Sequence, residues 1–178
     1  MANVTAAGHA TSRIRWPWPI AALHWATVLL LIALLTSGWT GGSHVSSSGL
    51  HASLGISLLV VLCVRIVIRM TCVAPVPVSA SPVARRLGGA VQIILYAAMI
   101  LSAVSGLLAI SPHPFMPPPR LFGVAELHRI APTPSMVRAS AGLHSIMIWT
   151  ILATAALHVA AFIYHSVFTD RRTIRRML

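Results

Sequence analysis

The sequence has very few acidic residues and no lysine. Its 178 residues include 13 basic residues, all arginine, but the only acids are Glu126 and Asp170. Only 8% of the residues are charged and 57% are hydrophobic, whereas about a quarter of the residues in soluble domains are charged. So few polar side chains cannot cover the surface of a soluble fold, which excludes that class of protein.

Cysteine and nucleotide-binding motifs are also scarce. Cys63 and Cys72 form neither a C-x-x-C pair nor a C-x-x-C-H motif, so no disulfide, zinc site or attached c-type haem is predicted. No G-x-G-x-x-G loop is present, which argues against a nicotinamide site. The net charge of +11 comes from arginines between apolar runs. Such arginines indicate membrane topology rather than nucleic-acid binding.

Four long apolar runs dominate the chain, and each approaches or exceeds the roughly 20 residues that a membrane-spanning helix needs. They cover residues 18–39, 50–70, 88–110 and 139–168. Backbone groups in hydrocarbon must bond within their own segment, which favours helices. The sequence therefore predicts an all-α, integral membrane four-helix bundle, with residues 1–178 as a single membrane domain.

The three connections between these runs contain residues that break helices. Residues 40–49 are rich in glycine and serine, and residues 71–87 and 111–138 contain several prolines. The first is predicted to be a Gly/Ser turn, and the other two are predicted to be irregular because proline interrupts a helix.

Arginine is unevenly distributed between the two predicted sides of the bundle. One side carries Arg13, Arg15, Arg65, Arg69, Arg85, Arg86, Arg171, Arg172, Arg175 and Arg176. The other side carries only Arg120, Arg129 and Arg138. Because arginine is enriched on the cytoplasmic side, both termini are predicted to be cytoplasmic.

Four of the nine histidines lie within the apolar runs: His24, His51, His144 and His158. Ionisable residues inside a membrane are costly and therefore suggest function. His144 and His158 are 14 residues apart, about 21 Å along one helix face. Topology places His51 at the level of His144, and His24 at that of His158. We call these the upper pair, on the predicted outer side, and the lower pair.

Haem iron is the metal that best suits two pairs of histidines. Zinc would normally need further ligands, whereas haem needs only two axial ones. The residues thus predict two b-type haems, with the four histidines as iron ligands. The alternative is that each histidine simply forms a hydrogen bond between helices. His165 shares the face of His158 and is interpreted as interfacial, although whether it replaces His158 is left open.

Several neighbouring residues allow two interpretations. Arg65 lies 14 residues after His51, where it suits either the propionates of the lower haem or anchoring at the interface. Small residues provide either room for a porphyrin or close helix packing: Gly55, Ser102, Ser105, Gly106 and Gly142. Gln92 and Tyr96 are polar groups on an apolar helix without an assigned role.

Three segments resemble the bacterial cytochrome b561 family of the short, four-helix kind. They are ALHWATVLLLIALL around His24, LHASLGISLLVVLCVRIVIRM from Leu50, and GLHSIMIWTILATAALHVAAFIYH from Gly142. The resemblance implies a multi-pass protein of the bacterial inner membrane. It also implies two haem b groups ligated by four histidines, at His24, His51, His144 and His158.

The resemblance further implies electron transfer, for which two routes are known in the family. Some members pass electrons from superoxide at the periplasmic face to ubiquinone, and others are cytochrome subunits of larger dehydrogenase or hydrogenase-type complexes. We expect an electron-transfer cytochrome or superoxide:quinone oxidoreductase, with lipid, quinone and a periplasmic donor as partners. The predicted outer surface has a basic set that suits an anion: Arg120, Arg129, Arg138, His113 and His128. A haem-free transporter with a histidine relay is a third hypothesis.

Overall fold

Four long helices make up most of the part of the chain that the structure describes. The computed structural model describes residues 17–40, 45–72, 81–110, 118–128, 130 and 133–169. Within these, the helices are α1 (Trp18–Thr40), α2 (Val45–Thr71), α3 (Pro82–Leu108) and α4 (Pro134–Tyr164). A π-helical turn, His165–Thr169, continues α4. All four helices are long and apolar enough to cross a membrane, which confirms the predicted all-α, four-helix class.

Both terminal segments lie outside the described residues, and so do His113 and Arg129. The terminal arginines carried much of the predicted orientation. The cytoplasmic location of the termini therefore stays a prediction.

Helix α2 begins at Val45, before the predicted position 50, and α3 and α4 begin before the predicted positions 88 and 139, each at a proline. The side chain of Ser81 accepts a hydrogen bond from Ala84 N at 3.2 Å. Thr133 does the same for Met136 N at 3.3 Å. Proline suits the first helical position because it has no N–H that needs a partner. These prolines therefore start helices within segments that were predicted to be irregular.

The helices pack as two antiparallel pairs, α1 with α2 and α3 with α4, which join mainly through α2 and α3. A small buried cluster fills the middle of the bundle: Leu58, Leu62, Ala98, Met99 and Ile151. Ile151 lies seven residues from both His144 and His158. An apolar layer thus separates the upper histidine pair from the lower one.

Most large apolar side chains on the outside of the bundle are exposed, such as Ile32 (54%) and Val67 (61%). Apolar surface of this extent is unfavourable in water and suits hydrocarbon. Several helical hydroxyls bond within their own helix, since Thr27 donates to Leu23 O at 2.7 Å and Thr154 to Thr150 O at 2.6 Å. This local bonding satisfies a hydroxyl without a partner on another helix.

A short hairpin lies within the predicted irregular connection 111–138. Strand β1 (Arg120–Leu121) pairs antiparallel with β2 (Ala125–Glu126). The turn places Phe122 at φ 49° and Gly123 at φ 75°, a left-handed conformation that glycine adopts readily. Arg120 and Glu126 form an exposed ion pair of 3.0 Å across the hairpin.

The hairpin packs against the first turns of α2. The amide of Phe122 donates to the buried Oγ of Ser53 at 2.8 Å. A Cβ atom at Gly49 would lie only 2.8 Å from the carbonyl oxygen of Arg120. Glycine at position 49 therefore permits this close approach, which holds the hairpin near the level of the upper pair.

Candidate functional site

The structure brings together His51 and His144, the upper pair. Their ring centroids are 6.2 Å apart, and the ring planes are nearly perpendicular at 83°. Both side chains are half-buried. His51 comes from the second turn of α2 and His144 from the middle of the first half of α4, so two antiparallel helix pairs each contribute one imidazole.

The contact between His144 and Ser102 of α3 shows which nitrogen of the His144 ring carries the proton. Nδ1 lies 2.8 Å from the backbone oxygen of Ser102 and 3.3 Å from its Oγ. A carbonyl oxygen can only accept, so Nδ1–H donates to it. The proton on Nδ1 leaves the lone pair on Nε2 available to a metal.

His51 has a similar neighbour on α1. Its Nδ1 lies 3.0 Å from Ser37 Oγ, and the Ser37 hydroxyl donates to Leu34 O at 3.1 Å. With its single hydrogen used in this way, Ser37 Oγ accepts from His51 Nδ1–H. The Nε2 lone pair of His51 is therefore free as well.

A glycine packs against each of the two rings. A Cβ atom at Gly38 would lie 3.2 Å from His51 Cε1, and one at Gly106 would lie 3.0 Å from both Cε1 and Nδ1 of His144. Distances this short force a neighbour to move. Each imidazole thus lies against a glycine of the adjacent helix and hydrogen-bonds a serine of that same helix.

A cavity of about 750 Å³ opens beside the upper pair. All four helices line it, and most of the lining is apolar, for example Leu34, Leu58 and Ile148. Gly55, Gly106 and Ser102 belong to this lining, whereas Gly142 does not and faces open space. The volume lies within the range of cofactor sites, roughly 300–1,000 Å³.

The upper pair fits the axial ligation of a haem iron. Metal–imidazole bonds such as the zinc–histidine bond are about 2 Å long, so two imidazoles that held one metal ion from opposite sides would have ring centroids roughly 6 Å apart. The observed 6.2 Å agrees with this value. Two free Nε2 lone pairs and an adjacent apolar cavity complete the set that a b-type haem requires.

The lower pair is arranged around Arg65. Its Nη2 donates to His24 Nδ1 at 3.0 Å, and its guanidinium lies 5.4 Å from the centre of the Tyr96 ring. His158 is close enough to interact electrostatically with both His24 and Arg65. The structure therefore brings the lower residues to one level, with a fixed positive charge among them.

Arg65 points into the bundle rather than outward to the interface. Its Nε is buried and has no hydrogen-bond partner among the described residues. An unsatisfied buried donor of this kind suits a carboxylate, which guanidinium groups bind well. Arg65 thus fits a haem propionate and supports the first of its two interpretations.

Other predicted residues lie apart from the two pairs. His165 begins the π-helical turn, where its ring meets that of Tyr164 edge-on at 5.5 Å between centroids. His128 is exposed. Within the described ranges, no three His, Cys, Asp or Glu side chains are grouped so that they could hold a metal ion.

Ser37 and Gly38 are the functional candidates that sequence reasoning missed. They lie 14 and 13 residues before His51, on the other side of the connection between α1 and α2. Their position at the end of α1, opposite a histidine at the start of α2, was the available signal.

Comparison with known proteins agrees with this arrangement. The family profile described as prokaryotic cytochrome b561 matches residues 15–178. The chain is 24% identical over 167 residues to cytochrome b561 homolog 2 of Escherichia coli (strain K12), covering 89% of this chain and 88% of that protein. The chain therefore belongs to the prokaryotic cytochrome b561 family, as a multi-pass bacterial membrane cytochrome that binds haem b and serves electron transfer.

Proposed function

We propose that the chain holds two haem b groups, one at each level, and carries electrons through the bacterial inner membrane to quinone. His51 and His144 ligate the upper haem, and His24 and His158 the lower one. The observation that carries the proposal is the 6.2 Å separation of the upper rings. It matches axial ligation on two sides of one iron.

Each haem supplies a reversible one-electron carrier, and the protein supplies its surroundings. The upper imidazoles are oriented by serines, and the buried layer of Leu58, Leu62 and Ile151 excludes water between the levels. The levels are separated by 14 residues of α4, about 21 Å.

The lower level needs one rearrangement of hydrogen bonds. Ligation through His24 Nε2 requires that nitrogen to be unprotonated, yet Arg65 now donates to Nδ1 of the same ring. We therefore propose that Arg65 donates to a propionate when haem is bound, and that His24 Nδ1 then carries the ring proton. The unsatisfied Nε of Arg65 supports this role.

Haem content of the purified protein tests the proposal. We expect two reducible haems per chain in reduced-minus-oxidised spectra, and loss of one of them in His51→Ala. His128→Ala is the matched control, because His128 is exposed and outside the bundle; it should keep both. A colourless wild-type protein that moves a solute across liposomes would favour the transporter hypothesis instead.

For the electron donor we propose superoxide, acting on the upper side. The exposed Arg138 and His128 support an attraction for anions, while the ion pair with Glu126 reduces the contribution of Arg120. Stopped-flow mixing with superoxide should reduce the haems faster at low salt than at high salt. Indifference to superoxide would remove this donor.

The alternative is a cytochrome subunit of a larger dehydrogenase or hydrogenase-type complex. Purification in mild detergent distinguishes the two, because a subunit should bring a second protein in constant ratio.

For quinone as the electron acceptor, Gln92 and Tyr96 are two polar side chains on α3 that could contact it. Of these, Tyr96 contacts Arg65 of the lower level. Slower quinone reduction in Tyr96→Phe, with normal haem content, would support acceptance at the lower level.

A further inference from the structure

The two upper histidines are held by a repeated arrangement. In the first helix pair, Ser37 and Gly38 of α1 contact His51 of α2. In the second, Ser102 and Gly106 of α3 contact His144 of α4. In both cases the first helix of the pair orients the imidazole that the second helix supplies.

Ser37 differs from several other hydroxyls of the helices. Thr27, Ser57 and Thr154 donate to a backbone oxygen one turn earlier in their own helix. Ser37 makes such a bond too, but it also accepts the Nδ1 proton of a histidine on another helix. Ser37 therefore connects the backbone of α1 to a ring on α2.

We propose that Ser37 and Ser102 are positioning residues of the upper haem, which fix the Nδ1 tautomer and the perpendicular planes of its two ligands, and that Ser37 tunes its redox potential more strongly. This inference rests on the proposed ligation by His51 and His144. A hydrogen bond from Nδ1–H makes an imidazole a stronger donor to its metal. Stronger donation stabilises the oxidised iron and lowers the potential.

The two contacts are unequal, and this makes the proposal testable. His144 donates mainly to the backbone oxygen of Ser102, at 2.8 Å, which side-chain substitution leaves in place. The Nδ1 of His51 lies 3.0 Å from the Ser37 hydroxyl, and the carbonyl of Leu34 is a second, backbone acceptor for this ring. The Ser37 hydroxyl lies closer to its ring than the Ser102 hydroxyl does, which is 3.3 Å from His144 Nδ1, so its loss should weaken its ligand more.

The test compares redox titrations and low-temperature EPR spectra of four variants with the wild type. Ser37→Ala should keep its haem and shift the upper potential upward, with a changed ferric low-spin signal because the ring plane is no longer fixed. Ser102→Ala should shift it less, and Ser37→Thr should restore it. Ser57→Ala is the control and should match the wild type, because the Ser57 hydroxyl donates to Ser53 O within its own helix.

Two results would overturn the proposal: an unchanged upper potential in Ser37→Ala with haem retained, or a shift in Ser102→Ala that equals or exceeds it. If Ser37→Ala loses the haem, Ser37→Thr decides, since retention supports the hydroxyl and loss indicates a purely steric role. Failure of the proposed ligation looks different. It would appear as an upper haem that survives His51→Ala.

Discussion

The upper and lower histidine pairs differ in the direction of their hydrogen bonds. In the upper pair, Nδ1 of each ring donates to a neutral group, Ser37 Oγ or Ser102 O. In the lower pair, Nδ1 of His24 accepts from the charged Arg65. The same residue type is thus placed in a neutral setting at one level and beside a cation at the other.

This difference has a consequence for the direction of electron flow. A nearby positive charge favours the state that carries one more electron, so Arg65 should raise the potential of the lower centre. The neutral acceptors at the upper level have the opposite tendency, because they strengthen imidazole donation. Electrons entering at the upper level would then move downhill to the lower one, as the proposed route to quinone requires.

The largest expected effect concerns the ligands of the lower level, where His158 and His165 are alternatives. His158→Ala should remove the lower haem and with it half of the haem absorbance, because iron needs both axial ligands. His165→Ala should retain both haems. Pyridine haemochrome analysis per chain measures this, and the reverse pattern would assign His165 as the ligand.

A smaller effect is expected from added bulk at the upper level. Gly106→Ala places a Cβ 3.0 Å from two atoms of the His144 ring, and overpacking of this kind typically costs about 1–3 kcal/mol. We expect partial loss of the upper haem and no change at the lower one, as followed by redox titration of both centres.

Gly89→Ala is the matched control on the same helix, because nothing lies within 4 Å of a Cβ there. Gly38→Ala should be milder than Gly106→Ala, since its closest ring atom is at 3.2 Å. Equal effects of Gly89→Ala and Gly106→Ala would mean that clearance for the imidazole is unimportant.

The levels of the histidines could be predicted from the sequence because residue counting on a rigid helix fixes depth. The 14-residue spacing of His144 and His158 needs no knowledge of neighbouring helices. The Ser37 contact could not be predicted in this way, since it depends on how α1 and α2 rotate against each other after their connection. When helices are apolar on every side, the periodicity of the sequence does not indicate which face of each helix turns towards its neighbour.

The beginnings of α3 and α4 were predicted too late for a different reason. Pro82 and Pro134 lie in segments that were predicted to be irregular, although each follows a Ser or Thr that caps the helix. Proline at the first position and a hydroxyl before it are together a start signal. The hairpin was not predicted because its two-residue strands are too short to show an alternation of polar and apolar residues.

Removal of the positive charge of Arg65 tests directly whether it raises the redox potential of the lower level above that of the upper level. In Arg65→Gln the lower potential should fall by roughly 100 mV, because a nearby unit charge in a partly buried site is worth about 2–3 kcal/mol and 59 mV corresponds to a tenfold change for one electron. Arg65→Lys keeps the positive charge and should change the lower potential less than Arg65→Gln does. A redox titration in which the upper potential falls instead would show that Arg65 does not belong to the lower centre.

The smallest expected effect lies outside the bundle, at the hairpin near the upper level. Exposed ion pairs contribute about 0–1 kcal/mol, so Glu126→Gln should barely change thermal stability while it releases the charge of Arg120 from its partner. If superoxide is the donor, its reaction should accelerate by roughly two-fold at low salt, through attraction of an anion to a more positive surface. The gain should vanish near 1 M salt, where the Debye length is about 3 Å.

Arg138→Gln removes an exposed positive charge and should slow the reaction with superoxide at low salt. Identical rates for both variants at low salt would place the donor site elsewhere.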